Sequence, residues 1–144
     1  MVVDIAHASK SAVAEILDTA TGPVVSGHGG VQATCDVNRN RSDDEIRGVA
    51  GTGGVVRIGY WDGAICDTNP EETVEAIAYV RDLVGIEHVG LGSDFDGSVT
   101  TRFDTSQLAV ISQTLIDKGF TDDEIAAGMG GNVTGVFTEL LPRS

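Results

Sequence analysis

Apolar positions along this chain fall in short β-branched runs, separated by longer stretches where they recur at helical spacing. "VVDIAH" reads as a buried strand that carries a carboxylate and ends on a histidine. "SKSAVAEILDTAT" follows, with Ser9 placed to cap a helix and Val13, Ile16 and Leu17 on one face of it. The alternation then repeats. "GPVVSGH" predicts a second strand and "RSDDEIRGVAGTG" a second helix, which Ser42 and Glu45 begin as a capping box. "GGVVRIGYW" predicts a third strand, and "NPEETVEAIAYVRDLVG" a helix with Pro near its start and Gly beyond its end. "EHVGLGSDF" is a fourth strand and "DTSQLAVISQTLIDKG" its helix. "TDDEIAAGMGGNVTGVFTELL" adds two short helices split at Gly130–Gly131. Strands alternating with helices imply parallel βαβ units with right-handed crossovers.

Four such units form either half of an eight-stranded barrel or a small open sheet. Polar residues separate the two. His7, His28, the "YWD" at 60–62 and Asp94 all follow strands, and strand ends converge on one mouth only in a barrel. The fold class expected is therefore α/β, half of a (β/α)8 TIM barrel with four parallel strands alternating with helices. No linker or composition shift divides residues 1–144, so a single partial domain is expected.

Composition narrows the partners. The 144 residues are 41% hydrophobic, enough to bury a core, and carry 9 Lys+Arg against 22 Asp+Glu, a net charge of −13. That charge disfavours nucleic acid and anionic membrane surfaces and favours a polyvalent cation. No apolar run approaches the roughly 20 residues of a membrane span, and the N-terminus lacks a signal-peptide pattern. A soluble chain of undetermined location is expected: cytoplasmic, or exported if the true N-terminus is missing.

His7 and His28 lie one β/α unit apart, which puts neutral imidazoles on neighbouring strand ends, an arrangement that suits zinc. A lone strand-end histidine is more often a satisfied core residue; two at equivalent points favour ligation. Asp94, between the glycines of "GLGSDFDG", reads either as a carboxylate that handles a water proton or as a turn residue. Asp96 reads as a turn residue. Arg39, in the loop after the second strand, offers a planar fork for a carboxylate, with plain surface solvation as its alternative. His88, at the opposite end of the strands, reads as structural. "GHGG" and "GTGG" lack the Lys-Ser/Thr of a phosphate loop. Cys35 and Cys66 follow the second and third strands, so they are expected to be adjacent over one mouth, and bonded as a disulfide if the protein is exported.

In order and spacing, "DIAHAS", "PVVSGHGG", "CDVNRNRSDDEIR", "GGVVRIGYW", "HVGLGSDFDG" and "MGGN" resemble the second half of the membrane dipeptidase (renal dipeptidase) family of zinc metallopeptidases, over essentially the whole chain. The resemblance implies a (β/α)8 barrel with two zinc ions that hydrolyses dipeptides and tolerates a C-terminal D-residue. It implies that His7 and His28 bind one zinc, that Arg39 binds the substrate carboxylate, and that Asp94 handles the proton of the attacking water and leaving amine. The family's first-strand His-x-Asp pair, its bridging glutamate and a further substrate-contacting histidine come from a first half with no counterpart here. The chain is accordingly expected to be truncated, beginning within strand five, and to form a homo-oligomer or to need the missing half. An alternative is a non-catalytic half-barrel that pairs with another chain and binds metal weakly or not at all. A third reading, an amidohydrolase acting on a cyclic amide, needs a metal-binding lysine after a middle strand, whereas Lys10 and Lys118 fall on helices. "SGHGG" carries glycines where relatives often have Ser or Thr, which is expected to loosen the backbone around His28.

Overall fold

A computed structural model describes residues 1–141. Its strands are β1 (Val3–Asp4), β2 (Val24–Gly29), β3 (Val55–Ile58) and β4 (Val89–Leu91). They form one sheet in the order β1-β2-β3-β4, with every pair parallel. Helices α1 (Lys10–Thr19), α2 (Asp43–Gly51), α3 (Asp62–Ile65) and α4 (Pro70–Val84) connect them. α5 (Ala109–Asp117), α6 (Asp122–Ala126) and α7 (Asn132–Leu140) follow β4. α3 is a single turn that the pattern did not predict. The last two helices are joined by a π-helical segment, Ala127–Gly131, whose backbone leaves helical geometry at Gly130.

Local chemistry sets these boundaries. Ser9 accepts from the Ala12 N–H at 3.2 Å to start α1. Ser42 and Glu45 form the expected capping box on α2, and Thr121 and Glu124 form another on α6. Pro70 opens α4, and Gly85, at φ 107°, ends it.

Strand order follows chain order with no reversal, and α1, α2, α4 and α5 all pack on one face of the sheet. Val24, Val56, Ile58 and Val89 face Val13, Ile46, Val49, Val74, Ile77, Val80, Ile111 and Leu115 there in one buried core. A doubly wound sheet would split its strand-connecting helices between two faces and reverse its strand order; here the connecting helices keep to one face, and this sheet is a segment of a barrel wall.

The opposite, inner face is apolar at its base and polar toward the mouth. Near the strand starts, Val25 and Val55 pack against Val136 of α7, with Val2, Val133 and Leu140 around them, so α7 floors the base. Toward the strand ends this face carries Asp4, Gly27, Arg57 and Gly92 instead of apolar side chains. The accessible surface, 7216 Å², is close to the roughly 7,000 Å² of a folded monomer of this mass. β1 and β4 nevertheless each have only one strand neighbour among the described residues.

Beside the sheet, Glu45 holds the loop after β2 to α1. One of its carboxylate oxygens accepts from Lys10 Nζ at 2.6 Å and from the Ser42 N–H at 2.9 Å. Burial raises the Glu45 pKa, but these donors and the neighbouring Arg41 outweigh it, leaving the carboxyl below its ordinary 4.5. A carboxyl lowered on folding stabilises the native state above its unfolded pKa, and that stability is lost as pH falls through the lowered native value. Acid unfolding followed by circular dichroism should therefore show a weaker pH dependence below about pH 4.5 in Glu45→Gln than in the parent. Identical acid limbs would contradict this.

Candidate active site

β1 ends early because the chain turns sharply after Asp4. The Asp4 carboxylate accepts from the Ala6 N–H at 2.8 Å, the Ala8 N–H donates to the Ile5 carbonyl at 3.2 Å, and His7 sits at φ 61°. A non-glycine residue in the left-handed region is uncommon and is held there by its surroundings. His28, by contrast, lies within β2. Gly27 and Gly29 beside it are buried strand residues, the pairing with β3 shifts register between Ser26 and Gly29, and the Gly29 carbonyl accepts from the Gly59 N–H at 2.8 Å. A Cβ at position 27 would lie 2.4 Å from an Asp4 carboxylate oxygen, so that glycine marks a close approach.

The two imidazoles converge, with Nε2 of His7 2.8 Å from Nε2 of His28 and ring centroids 4.8 Å apart. One neutral ring donates to the other across this contact. Burial, reinforced by Arg39 and His7, lowers the His28 pKa against the pull of Asp94 and Asp4. The neutral ring so favoured is the form that binds a metal ion.

Asp94 lies beyond the end of β4, also in the left-handed region at φ 57°, with Oδ1 4.0 Å from His28 Nε2. Its neighbouring glycines sit at close approaches within the chain. A Cβ at Gly92 would meet the Gly27 carbonyl at 2.2 Å, and one at Gly97 would meet the Asp94 carboxylate. Asp96 is exposed in the following turn.

Arg39 is half-buried, not loosely solvated. Its Nη1 donates to the His28 carbonyl at 2.8 Å and its guanidinium lies 4.6 Å from the centre of the Trp61 ring. It lines a cavity of about 260 Å³ with His7, Lys10, Asn38 and Arg41. On the other side of the histidine pair a recess of about 360 Å³ is lined by Asp4, His28, Arg57, Ser93, Asp94 and Asp96.

"YWD" contributes differently from its expected place among the strand-end groups. Tyr60 is core, packed on Phe95 and Phe103, and burial holds its phenol far above the usual range. Trp61 meets the site through Arg39, and Asp62 is the first residue of α3, its carboxylate accepting from the adjacent Gly63 N–H. His88 Nδ1 lies 2.8 Å from the Gly54 carbonyl, away from the mouth. Cys35 and Cys66 are joined, their Cα atoms 5.4 Å apart. Lys10 pairs with Glu45 and Lys118 with Glu75.

Four supporting residues had no assigned role in the sequence reading. Arg41 is buried and ties β1 to β2, donating to the Ile5 carbonyl at 2.8 Å and to Ser26 Oγ at 3.1 Å. Asn40 is fully buried and bonds three backbone groups. Asp4 bridges to Gly27. Arg57 Nε donates to the Leu91 carbonyl at 2.8 Å and holds its stem across Gly90 and Gly92. The alternation of "NRNR" hinted at buried guanidinium only weakly.

As a metal site the donor set is partial. Two Nε2 atoms meeting at one point fit one cation, but among the described residues no group of three or more His, Cys, Asp or Glu is placed to hold one.

A one-sided β/α wall with two imidazoles and a carboxylate at its C-terminal mouth has the architecture of a barrel hydrolase. Comparison with known proteins makes this specific. Residues 1–141 match the model of the membrane dipeptidase family, peptidase family M19, and the chain belongs to that family. It is 31% identical to dipeptidase aclJ of Aspergillus oryzae, over 97% of this chain and 35% of that protein. To human dipeptidase 3 it is 26% identical, over 97% of this chain and 30% of that one. Among solved structures it resembles a metallopeptidase from Rhodobacter sphaeroides liganded with a phosphinate mimic of the dipeptide L-Ala-D-Ala. The TM-score is 0.89 at 19% identity, over 96% of this chain and 42% of that one. The probable dipeptidase PvdM from Pseudomonas aeruginosa gives a TM-score of 0.87 at 22% identity, over 96% and 50%. The chain thus spans about a third of the curated relatives it matches and at most half of these solved structures. No helix among the described residues is long and apolar enough to cross a membrane.

Proposed function

We propose that this chain carries half of the site of a zinc-dependent dipeptidase, with His7 and His28 holding one metal ion, Asp94 moving the proton, and Arg39 binding the substrate carboxylate. The observation that carries this is the convergence of the two Nε2 atoms at 2.8 Å, with the Asp94 carboxylate 4.0 Å from one of them. When bound, the metal would polarise the peptide carbonyl and activate water. Asp94 is placed to take the proton of an attacking water and return it to the leaving amine. Arg39, braced by Trp61 and the His28 carbonyl, keeps N–H groups for a terminal carboxylate. Tolerance of a C-terminal D-residue is part of this reading; it is supported by the L-Ala-D-Ala mimic bound to the Rhodobacter protein.

A two-imidazole set and two open strand edges also favour assembly: a second copy, or a chain bearing the rest of the barrel, would complete the mouth. Alone, the chain should hydrolyse dipeptides weakly or not at all; such a half-barrel, binding metal weakly or not at all, is the second reading.

The test is hydrolysis of L-Ala-L-Ala and L-Ala-D-Ala with zinc present, with and without a fragment supplying the other half of a family barrel. Activity should rise when the fragment is added, and Asp94→Asn should lower it by about 100-fold or more at similar zinc content. An Asp94→Asn protein as active as the parent would contradict the role given to Asp94.

A further inference from the structure

Asp4 occupies an unusual position for an acidic residue. It closes a two-residue strand, it forms no ion pair among the described residues, and a single oxygen does two jobs. Oδ1 accepts from the Ala6 N–H at 2.8 Å, within the turn that delivers His7, and from the Gly27 N–H at 3.0 Å, immediately before His28. The other oxygen fills the space a side chain at position 27 would need, 2.4 Å from where its Cβ would stand. The backbone ladder between β1 and β2 is short here: Val3 and Asp4 pair with Val24 and Val25, and the Ile5 N–H donates to the Val25 carbonyl at 2.9 Å. Beyond that point Arg41 crosses from the Ile5 carbonyl to Ser26, and the Asp4 carboxylate links the His7 turn to the residue preceding His28.

We propose that Asp4 is a positioning residue that sets the separation of the His7 and His28 imidazoles, and through it the affinity for a divalent cation, without being a ligand itself. The inference rests on the metal-binding reading of the histidine pair. His7 is held in the left-handed region, which few side chains adopt unless the surrounding bonds compel it. The Asp4 carboxylate fixes the residue before it from one side and the residue before His28 from the other. Removing that acceptor frees the Ala6 and Gly27 amides together, so the turn relaxes and the two Nε2 atoms lose their common point.

What the geometry requires is one acceptor oxygen, not a charge. Asparagine supplies that oxygen; alanine does not. Zinc alone, titrated into the purified chain, should bind about 10- to 100-fold more weakly in Asp4→Ala and within about threefold of the parent in Asp4→Asn. Gly27→Ala, which crowds the carboxylate without removing it, should fall between them. A metal-free readout accompanies these: the Nε2 ¹⁵N resonances of the paired imidazoles should report the inter-ring hydrogen bond in the parent and Asp4→Asn, and its loss in Asp4→Ala. Should Asp4→Ala fail to fold, Gly27→Ala and Asp4→Asn still decide the question, since their predicted orders differ. Unchanged affinity in Asp4→Ala or Gly27→Ala would overturn the proposal. So would an Asp4→Asn loss as large as that of Asp4→Ala, which would make the carboxylate a ligand or a charge effect. Failure of the metal reading itself would look different: His28→Ala would then bind zinc as well as the parent.

Discussion

Asn40→Ala should destabilise the fold by about 2–5 kcal/mol, because it removes three buried hydrogen bonds at once and strands two of the backbone groups they serve. The side chain is fully buried, and its Oδ1 accepts from the Gly30 N–H at 2.9 Å. Its Nδ2 donates to the Cys35 and Ala64 carbonyls, each at 2.8 Å. Those groups belong to the end of β2, the loop that carries Arg39 and the short helix after β3. Alanine leaves the buried Gly30 N–H and Ala64 carbonyl without a partner, each at a cost of about 1–3 kcal/mol, while the Cys35 carbonyl keeps the Val37 N–H at 2.9 Å. Chemical denaturation of parent and variant checks the figure; a loss below 1 kcal/mol would mean that water replaces the amide. Arg39 should lose its place over Trp61 in the same variant, since Asn40 anchors the residue next to it.

Gly54→Ala should be at least as damaging, about 4 kcal/mol or more. A Cβ at position 54 would stand 1.8 Å from the Val24 carbonyl oxygen and under 3 Å from two further backbone atoms of the same residue. Neither β2 nor β3 can yield without breaking the sheet beneath the histidines. Gly51→Ala is the internal control: nothing lies within 4 Å of its Cβ position, and it closes α2, so alanine there should be neutral or slightly stabilising. Thermal unfolding of the pair should separate them widely, and similar midpoints would contradict the close approach.

These two residues also show where the sequence spoke clearly and where it was silent. Periodicity located the strands and principal helices because burial on one face imposes it, and Ser9 and Ser42 marked helix starts because their hydroxyls satisfy free N–H groups. The histidine pair was legible from position alone, one unit apart at strand ends. Strand ends were misread by a few residues. "VVDIAH" and "EHVGLGSDF" look extended throughout, yet the backbone turns after Asp4 and after Leu91, and nothing in a His or Asp side chain announces φ near +60°. "GHGG" and "GTGG" were recognisable only as failing to bind phosphate. Their use became visible once Gly30 met the Ala64 carbonyl and Gly54 the Val24 carbonyl, contacts made across separate elements. Asn40, Arg41 and Asp4 sit in polar segments where no period distinguishes a buried clamp from a solvated residue. The floor made by α7 was hidden for a related reason. Val133, Val136 and Leu140 reveal an apolar face, but the choice between outer and inner sides of the sheet depends on the turn at Gly130.

The central claim is that His7 and His28 act together on one metal ion. Titrating zinc into the metal-free chain and into His28→Ala, with competition against a chelator of known affinity, tests it most directly. The account predicts weak binding by the parent, as expected for two imidazoles without a complete ligand set, and a further loss of at least about tenfold in His28→Ala. Equal affinity in the two proteins would contradict it.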